Sequence, residues 1–126
     1  MTVSTRAQVI TRRTYNRPTS EDGKQFETWE ETVGRVIAHQ LWLWERALDR
    51  ELVDIEYAEL YDLEQLMLER KVSMSGRTLW LGGTNVAKTR EASQFNCSFT
   101  EVETVYDVVD VLWLLLQGKS KNYCPV

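Results

Sequence analysis

The chain has 126 residues, of which 43% are hydrophobic and 27% are charged, a balance typical of one small globular domain and not of a disordered segment. The net charge of −4 does not favour binding to nucleic acid or to an anionic membrane surface. The longest apolar run, residues 111–116, is far shorter than the roughly 20 residues of a membrane span, and no apolar stretch near the N-terminus indicates a secretory signal.

Two cysteines, Cys97 and Cys124, are too few for a disulfide framework. No group of cysteines and histidines has the spacing of a zinc site, so we expect no bound metal. Thiols are kept reduced in the cytoplasm, and this is the location that the sequence favours.

The first elements in chain order are an arm and a long helix. Residues 1–27 are predicted to be an irregular arm, and its arginines are interpreted as a solvated basic surface in preference to a phosphate contact. Thr28 and Glu31 have the spacing of a capping box, and apolar residues then recur every three or four positions to about Leu48. His39 lies off this apolar stripe, and we expect no catalytic or ligand role for it.

A second helix is predicted from about Asp54 to Arg70. Its apolar side is formed by Ala58, Tyr61, Leu63, Leu66 and Met67. Its glutamates and aspartates are interpreted as a solvated acidic face, because no Glu-x-x-His pair accompanies them as in carboxylate-bound metal sites of helical bundles.

Residues 73–94 break the helical pattern. The run RTLWL, residues 77–81, is predicted to be a short β-prone segment between Gly76 and Gly82. The pair Gly82-Gly83 indicates a sharp turn or a close approach of the backbone to another group. The stretch GGTNVAKT lacks the G-x-x-x-x-G-K-[ST] spacing, so a nucleotide-binding loop is rejected.

A strand and a third helix complete the pattern. Phe95, Cys97 and Phe99 alternate with polar residues, which predicts a half-buried strand with the thiol on the side of the two phenylalanines. Thr104 and Asp107 are predicted to cap a helix that ends at Gly118. The strand has no local hairpin partner, so we expect the sheet to be completed by other chains or by further sequence, and the chain alone to self-associate.

Two blocks carry a family resemblance: TRRTYNR…ETWEETVGRVI and SGRTLWLGGT…SQFNCSF. They resemble the N-terminal part of adenosylcobalamin-dependent (class II) ribonucleotide reductases, and most nearly the monomeric ribonucleoside-triphosphate reductases. The resemblance covers roughly residues 9–118. It implies an α+β fragment in which a mainly α-helical N-terminal region leads into the first strand and helix of a ten-stranded α/β barrel. The implied organisation is an arm (1–27), a helical region (28–72), a loop, strand and helix that open the barrel (73–118), and a tail unlike the family (119–126).

The resemblance also implies chemistry. Cys97 matches one member of the family's redox-active cysteine pair, which becomes a disulfide as the ribose 2′-hydroxyl leaves as water. The residues just before it approach the substrate in this family, so substrate contacts are expected from Ser93, Gln94, Phe95 and Asn96. The implied cofactor is adenosylcobalamin, held elsewhere in the enzyme, and the implied partners are a ribonucleotide, a thioredoxin-like or dithiol reductant and a complementing C-terminal reductase polypeptide.

Departures from the family and two alternatives remain. The partner of Cys97 and the family's radical cysteine have no counterpart here, so we expect the chain to be inactive alone. The tail KSKNYCPV replaces a glycine-rich segment, and a truncated gene, a split gene or an intervening-sequence junction would each explain it, with no role assigned to Cys124. One competing hypothesis is a small helical interaction module without catalytic activity, which would bind a partner through its tryptophan-rich helix. The other is a nucleotide-binding domain that uses GGTNVAKT around phosphate, against which the spacing argues.

Overall fold

The computed structural model describes residues 3–95, 97–117 and 120–123. The described part is mainly helical, as predicted, and divides into two compact units, Met1–Gly83 and Thr84–Val126. In chain order the elements are α1 (Thr5–Thr14), α2 (Trp29–Leu48), α3 (Asp54–Leu68), α4 (Gly76–Leu81), α5 (Asn85–Thr89), a 3₁₀ helix (Glu91–Gln94), β1 (Cys97–Thr100), α6 (Val105–Leu116) and β2 (Ser120–Tyr123).

Helix α2 begins at the predicted capping box. The Glu31 amide donates to Thr28 Oγ1 at 3.2 Å, and the Thr28 amide donates to Glu31 Oε2 at 2.7 Å. These two bonds satisfy backbone donors that would otherwise lack partners in the first turn. The helix ends at Leu48, followed by Asp49 in the left-handed conformation at φ 53°.

The core of the first unit lies where α2, α3 and α4 meet. It contains the buried side chains of Val33, Val36, Met67 and Leu79. The Trp29 indole N–H donates to the Met67 carbonyl at 3.0 Å and so ties the start of α2 to the end of α3. Burial of each large apolar side chain contributes about 1.5–3 kcal/mol, which makes this cluster the main apolar contribution to the unit. Tyr61, predicted on the apolar side of α3, is instead 61% exposed.

Two segments of the first unit that were not predicted to be helical form short helices. Thr5–Thr14, predicted to be irregular, is helix α1, and its start is capped by Ser4 Oγ, which accepts from the Ala7 amide at 3.3 Å. Gly76–Leu81, predicted to be β-prone, is helix α4. Ser75 Oγ accepts from the Thr78 amide at 3.3 Å. Serine caps decide both elements, because neither segment is long enough to show an apolar repeat.

A largely buried ion pair links segments of the first unit. Arg35 Nε donates to Glu27 Oε1 at 2.8 Å, and Arg35 Nη2 donates to Glu27 Oε2 at 2.8 Å and to the Leu79 carbonyl at 2.9 Å. Arg35 Nη1 donates to the Gly82 carbonyl. The carboxylate of Glu27 also accepts from the Arg17 amide at 3.0 Å and the Thr32 hydroxyl at 3.0 Å. One guanidinium therefore joins the arm, α2 and the end of α4.

The paired glycines lie against this arginine. Gly83 has φ +77°, and a Cβ there would come within 2.6 Å of Arg35 Cγ and 2.8 Å of the Arg35 carbonyl oxygen. A Cβ on Gly82 would meet the Thr78 carbonyl oxygen at 2.5 Å. The prediction of a turn with a close backbone approach is confirmed, and the group approached is Arg35.

The second unit contains a β–α–β arrangement. Strands β1 and β2 pair in parallel, with Cys97 opposite Ser120 and Thr100 opposite Tyr123. Helix α6 connects them and begins at the predicted box, where the Thr104 amide donates to Asp107 Oδ2 at 2.7 Å. As predicted, β1 has no hairpin partner among the described residues, but residues 120–123 pair with one of its edges in parallel. Gly118, the predicted helix stop, lies outside the described residues.

We expect Gly83→Ala to lower the free energy of unfolding of the first unit by about 2 kcal/mol or more, because it forces a left-handed alanine against the Arg35 backbone. Gly34→Ala is the matched control. Gly34 lies within α2 with open space around its Cα, so alanine should be neutral or stabilising by up to about 1 kcal/mol. Urea denaturation of both variants measures the difference, and equal midpoints would show that the close approach does not matter.

The ion pair predicts an acid dependence. Burial of Glu27 is the largest influence and raises its pKa, but the hydrogen bonds from Arg35 and the Arg17 amide, with the Arg35 charge, together hold that pKa below its ordinary value of 4.5. A carboxyl with a lowered folded-state pKa stabilises the fold above its unfolded pKa, and this contribution is lost as the pH falls through the folded value.

Glu27→Gln should therefore cost about 2 kcal/mol near neutral pH, and the difference from the natural chain should shrink as the pH falls below about 4.5. Denaturant titrations between pH 7 and pH 3 give the two curves. Glu59→Gln is the control, since Glu59 is exposed on α3. A difference that stays constant with pH would contradict the assignment.

Candidate functional site

The predicted site residues lie on one continuous segment of the second unit that leads into β1. Ser93 and Gln94 end the 3₁₀ helix, Phe95 is extended at φ −99° and ψ 130°, and Cys97 is the first residue of β1. Asn96, the remaining predicted substrate contact, lies outside the described residues. Four of the five predicted residues are thus described by the structure, and they lie close together because they are neighbours in the chain.

Backbone hydrogen bonds fix how this segment enters the strand. The Ser93 amide donates to the Arg90 carbonyl at 2.9 Å, and the Phe95 amide donates to the Ala92 carbonyl at 3.2 Å. These two tight turns stop the chain from continuing the preceding α5 direction and place Phe95 in extended geometry. A strand begins two residues later, so the Cys97 sulfur is positioned by a hydrogen-bonded backbone and not by a loop.

Exposure differs from the sequence prediction along this segment. Ser93 is buried at 5% exposure, whereas Phe95 is 63% exposed and Cys97 is also exposed. The predicted half-buried strand with Cys97 on the side of the two phenylalanines is wrong for Phe95, which precedes β1, and for Cys97, which is exposed. The physical reason is that a parallel sheet needs cover on both faces to bury its side chains, and α6 is the longest helix among the described residues of this unit.

The pairing of β1 with β2 shows which residue lies opposite Cys97 and therefore whether β2 could supply a disulfide partner. Its partner on β2 is Ser120, which carries a hydroxyl in place of a thiol. Neighbouring strands lie about 4.7–4.9 Å apart, close to the Cα separation of about 4.4–6.8 Å that a disulfide needs. No described strand lies along the other edge of β1. A cysteine on a strand added at that edge would have the right separation.

The first unit has a groove and, on one of its walls, a cation–π contact, neither of which the sequence predicted. A groove of about 870 Å³ runs between the start of α1 and the end of α3 and is lined by Ser4, Ala7, Trp29, Leu68, Arg70 and Lys71. The Arg70 guanidinium lies 4.3 Å from the centre of the Trp29 indole, a cation–π contact that covers one wall. The sequence could not predict this contact because Arg70 and Trp29 are 41 positions apart.

His39, which the sequence places off the apolar stripe of α2, is buried. It is 1% exposed and its ring stacks on Trp42 with centroids 5.6 Å apart. Within the described ranges, no three histidine, cysteine or acidic side chains lie close enough to hold a metal ion. Among these same residues, no helix is long and apolar enough to cross a bilayer.

Comparison with known proteins shows to which family the chain is similar. Residues 3–84 match the model of the ribonucleotide reductase alpha domain, so the match covers the first unit and ends before Cys97. The adenosylcobalamin-dependent ribonucleoside-triphosphate reductase of Lactobacillus helveticus is 34% identical over 97 residues, which is 75% of this chain and 13% of the enzyme. The enzyme of the same name from Lactobacillus leichmannii is 32% identical over the same shares.

A protein of Mycobacterium phage D29, provisionally given the same name, is 38% identical over 93 residues, 71% of this chain and 11% of its own length. The chain thus spans about an eighth of the length of the curated relatives it matches. No solved structure gives a significant match. Because the alpha-domain model matches well over half of the residues, the chain belongs to the ribonucleotide reductase family.

Proposed function

We propose that the chain is the N-terminal segment of an adenosylcobalamin-dependent ribonucleotide reductase, which converts a ribonucleoside triphosphate to the 2′-deoxyribonucleoside triphosphate with thiols as reductant. The names of the relatives support the reaction and the cofactor. The observation that carries the proposal for this chain is an exposed cysteine at the start of a parallel strand, directly after the segment Ser93–Phe95. The α/β barrel of the family is proposed for the complete enzyme, with β1 and α6 as its opening.

The proposed role of Cys97 is to supply one of two thiols. Two thiols lose two electrons and two protons and form a disulfide, while the ribose loses its 2′-hydroxyl as water and gains hydrogen at C2′. The second thiol comes from a strand along the open edge of β1, since Ser120 occupies the position opposite Cys97 on the other edge. A dithiol or thioredoxin-like protein would then restore both thiols by exchange.

Substrate contacts are proposed for Ser93, Gln94, Phe95 and Asn96. Ser93 is buried, so its contribution would come through the backbone that it anchors. Phe95 is more than half exposed and offers an apolar ring beside the cysteine. A strand with a fixed entry turn holds such contacts more rigidly than a loop does, as reduction of one ribose face requires.

The described residues do not fit a corrinoid site. The lone histidine, His39, is buried against Trp42, and no ligating cluster occurs in the described ranges. Adenosylcobalamin supplies radical initiation in the enzymes named for it, and we assign no contact with it to this chain. We also propose that this chain requires a complementing reductase polypeptide, and that it is inactive without one.

The alternative of a helical interaction module has less support. Trp29 packs on the core of the first unit, and Trp42 is half-buried between His39 and Arg46, whose guanidinium lies 5.1 Å from the indole. These tryptophans already have partners within their own unit. A phosphate-binding role of the loop after α4 is likewise not favoured, because Gly83 lies against Arg35.

The first prediction concerns the thiol itself. We expect Cys97 in the native chain to react with iodoacetamide nearly as fast as in the urea-unfolded chain, because its side chain is exposed. Peptide mass spectrometry separates its labelling from that of Cys124, and Cys124→Ser confirms the assignment. Protection of Cys97 by a factor of about a hundred or more would show a buried thiol and contradict the proposed access to substrate.

The second prediction concerns turnover. The full chain is mixed with the part of the Lactobacillus helveticus reductase outside the matched region, together with adenosylcobalamin, dithiothreitol and a ribonucleoside triphosphate. Deoxynucleotide should form with the natural chain and with Cys124→Ser, but not with Cys97→Ser, because serine cannot form the disulfide. Equal product from Cys97→Ser and the natural chain would rule out the assigned role.

A further inference from the structure

Helix α6 is apolar over most of its circumference. Its twelve residues, Val105–Leu116, include two that are charged, Asp107 and Asp110, and both lie on the side of Val111 and Leu114. A helix that packs against one surface normally has a polar opposite face, but the side of α6 opposite Val111 is apolar. We therefore expect a second surface to cover that side of the helix.

The inner face of α6 is covered within the second unit. Val111 is 3% exposed, and Asp107 and Leu114, one turn before and after it, are partly buried. This face belongs to the β1–α6–β2 arrangement, in which the crossover helix lies on the two parallel strands.

The opposite face forms a continuous apolar stripe. Its members are spaced by four, three and four positions, so they lie in one row along the helix. Their exposed fractions are 80%, 56%, 55% and 80% for Val105, Val109, Leu112 and Leu116. Beside this row, Tyr106 is 83% and Trp113 is 55% exposed. We call the four-residue row the outer stripe.

The acidic residues in and before α6 limit the kind of surface that can cover the outer stripe. Residues 101–117 contain four acidic residues and no lysine or arginine. Two copies of α6 packed symmetrically would place two acidic segments against each other, which disfavours a second copy. The surface that fits is apolar at its centre and carries lysine or arginine at its rim.

The two-stranded sheet beneath α6 also requires further strands and helices to cover it. Two parallel strands of four residues are too few for an independently stable sheet, and parallel sheets are covered on both faces. The relatives are about eight times longer than the matched region, so they carry ample sequence to provide further strands and helices.

We propose that the outer stripe of α6 is the docking surface for the rest of the reductase polypeptide, the part that the relatives carry outside the matched region. This inference rests on the proposed function for the identity of the partner. The occupant packs apolar side chains on Leu112 and Leu116 and places basic residues near Glu101 and Glu103.

The test measures binding of the full chain to the part of the Lactobacillus helveticus reductase outside the matched region, by calorimetry or sedimentation. Leu112→Asp/Leu116→Asp should weaken binding at least about tenfold, because it places two charges in an apolar contact. The matched control is Ile55→Asp/Tyr61→Asp, which adds the same charges at exposed apolar positions of α3, 70% and 61% exposed. It should bind as the natural chain does.

Circular dichroism and thermal melting of both double variants should match the natural chain, since all four positions are exposed. Leu112→Gln/Leu116→Gln, which adds no charge, provides a second variant and should also weaken binding. No binding by the natural chain, or equal binding by all variants, would overturn the proposal. So would a stable dimer of the natural chain that Leu112→Asp/Leu116→Asp dissociates, because the occupant would then be a second copy.

The same mixtures separate this proposal from the proposed function. Binding that depends on the outer stripe but gives no deoxynucleotide with adenosylcobalamin and dithiothreitol would keep the docking surface and reject the reductase reaction. Deoxynucleotide formation that is unchanged in Leu112→Asp/Leu116→Asp would keep the reaction and reject the docking surface.

Discussion

The first unit depends on the placement of one guanidinium. Arg35 has five N–H donors, and four of its hydrogen bonds go to Glu27 and to the carbonyls of Leu79 and Gly82. A largely buried ion pair is costly unless its remaining polar groups are satisfied, and here the backbone at the end of α4 satisfies them. The pair therefore stabilises this fold only when the arm, α2 and the turn after α4 are all in position, which links three segments distant in sequence.

The same constraint explains the paired glycines. The turn after α4 must come close enough for the Gly82 carbonyl to accept from Arg35, and side chains at either glycine would collide with backbone or with Arg35 itself. This turn also ends the unit at Gly83. The motif that resembles the reductases is thus explained in its first half by structural packing, while the chemistry is proposed for its second half, around Cys97.

The second unit differs from the first because it exposes large apolar side chains on its longest described helix. Its two short parallel strands and the exposed outer stripe of α6 require further neighbours, whereas the side of α6 that carries Val111 is covered within the unit. The open edge of β1 and the outer stripe of α6 are two surfaces of one β–α–β unit. A polypeptide that adds strands at the edge and covers the stripe would bring a second thiol to Cys97 and bury α6 at the same time.

The sequence by itself determined the elements that local signals specify. The capping boxes at Thr28 and Thr104 and the apolar repeats after them gave α2 and α6, because caps and periodicity act within a few residues. The blocks TRRTYNR…ETWEETVGRVI and SGRTLWLGGT…SQFNCSF indicated the family from residue identities alone, and the family match lies over residues 3–84. The short helices α1 and α4 were missed, since single serine caps are weak signals without an apolar repeat. Only the tertiary structure decided that Gly83 packs on Arg35, that β2 pairs with β1, and that Cys97 and the outer stripe are exposed. These depend on contacts between residues far apart in the chain, and such contacts leave no periodic pattern in the sequence.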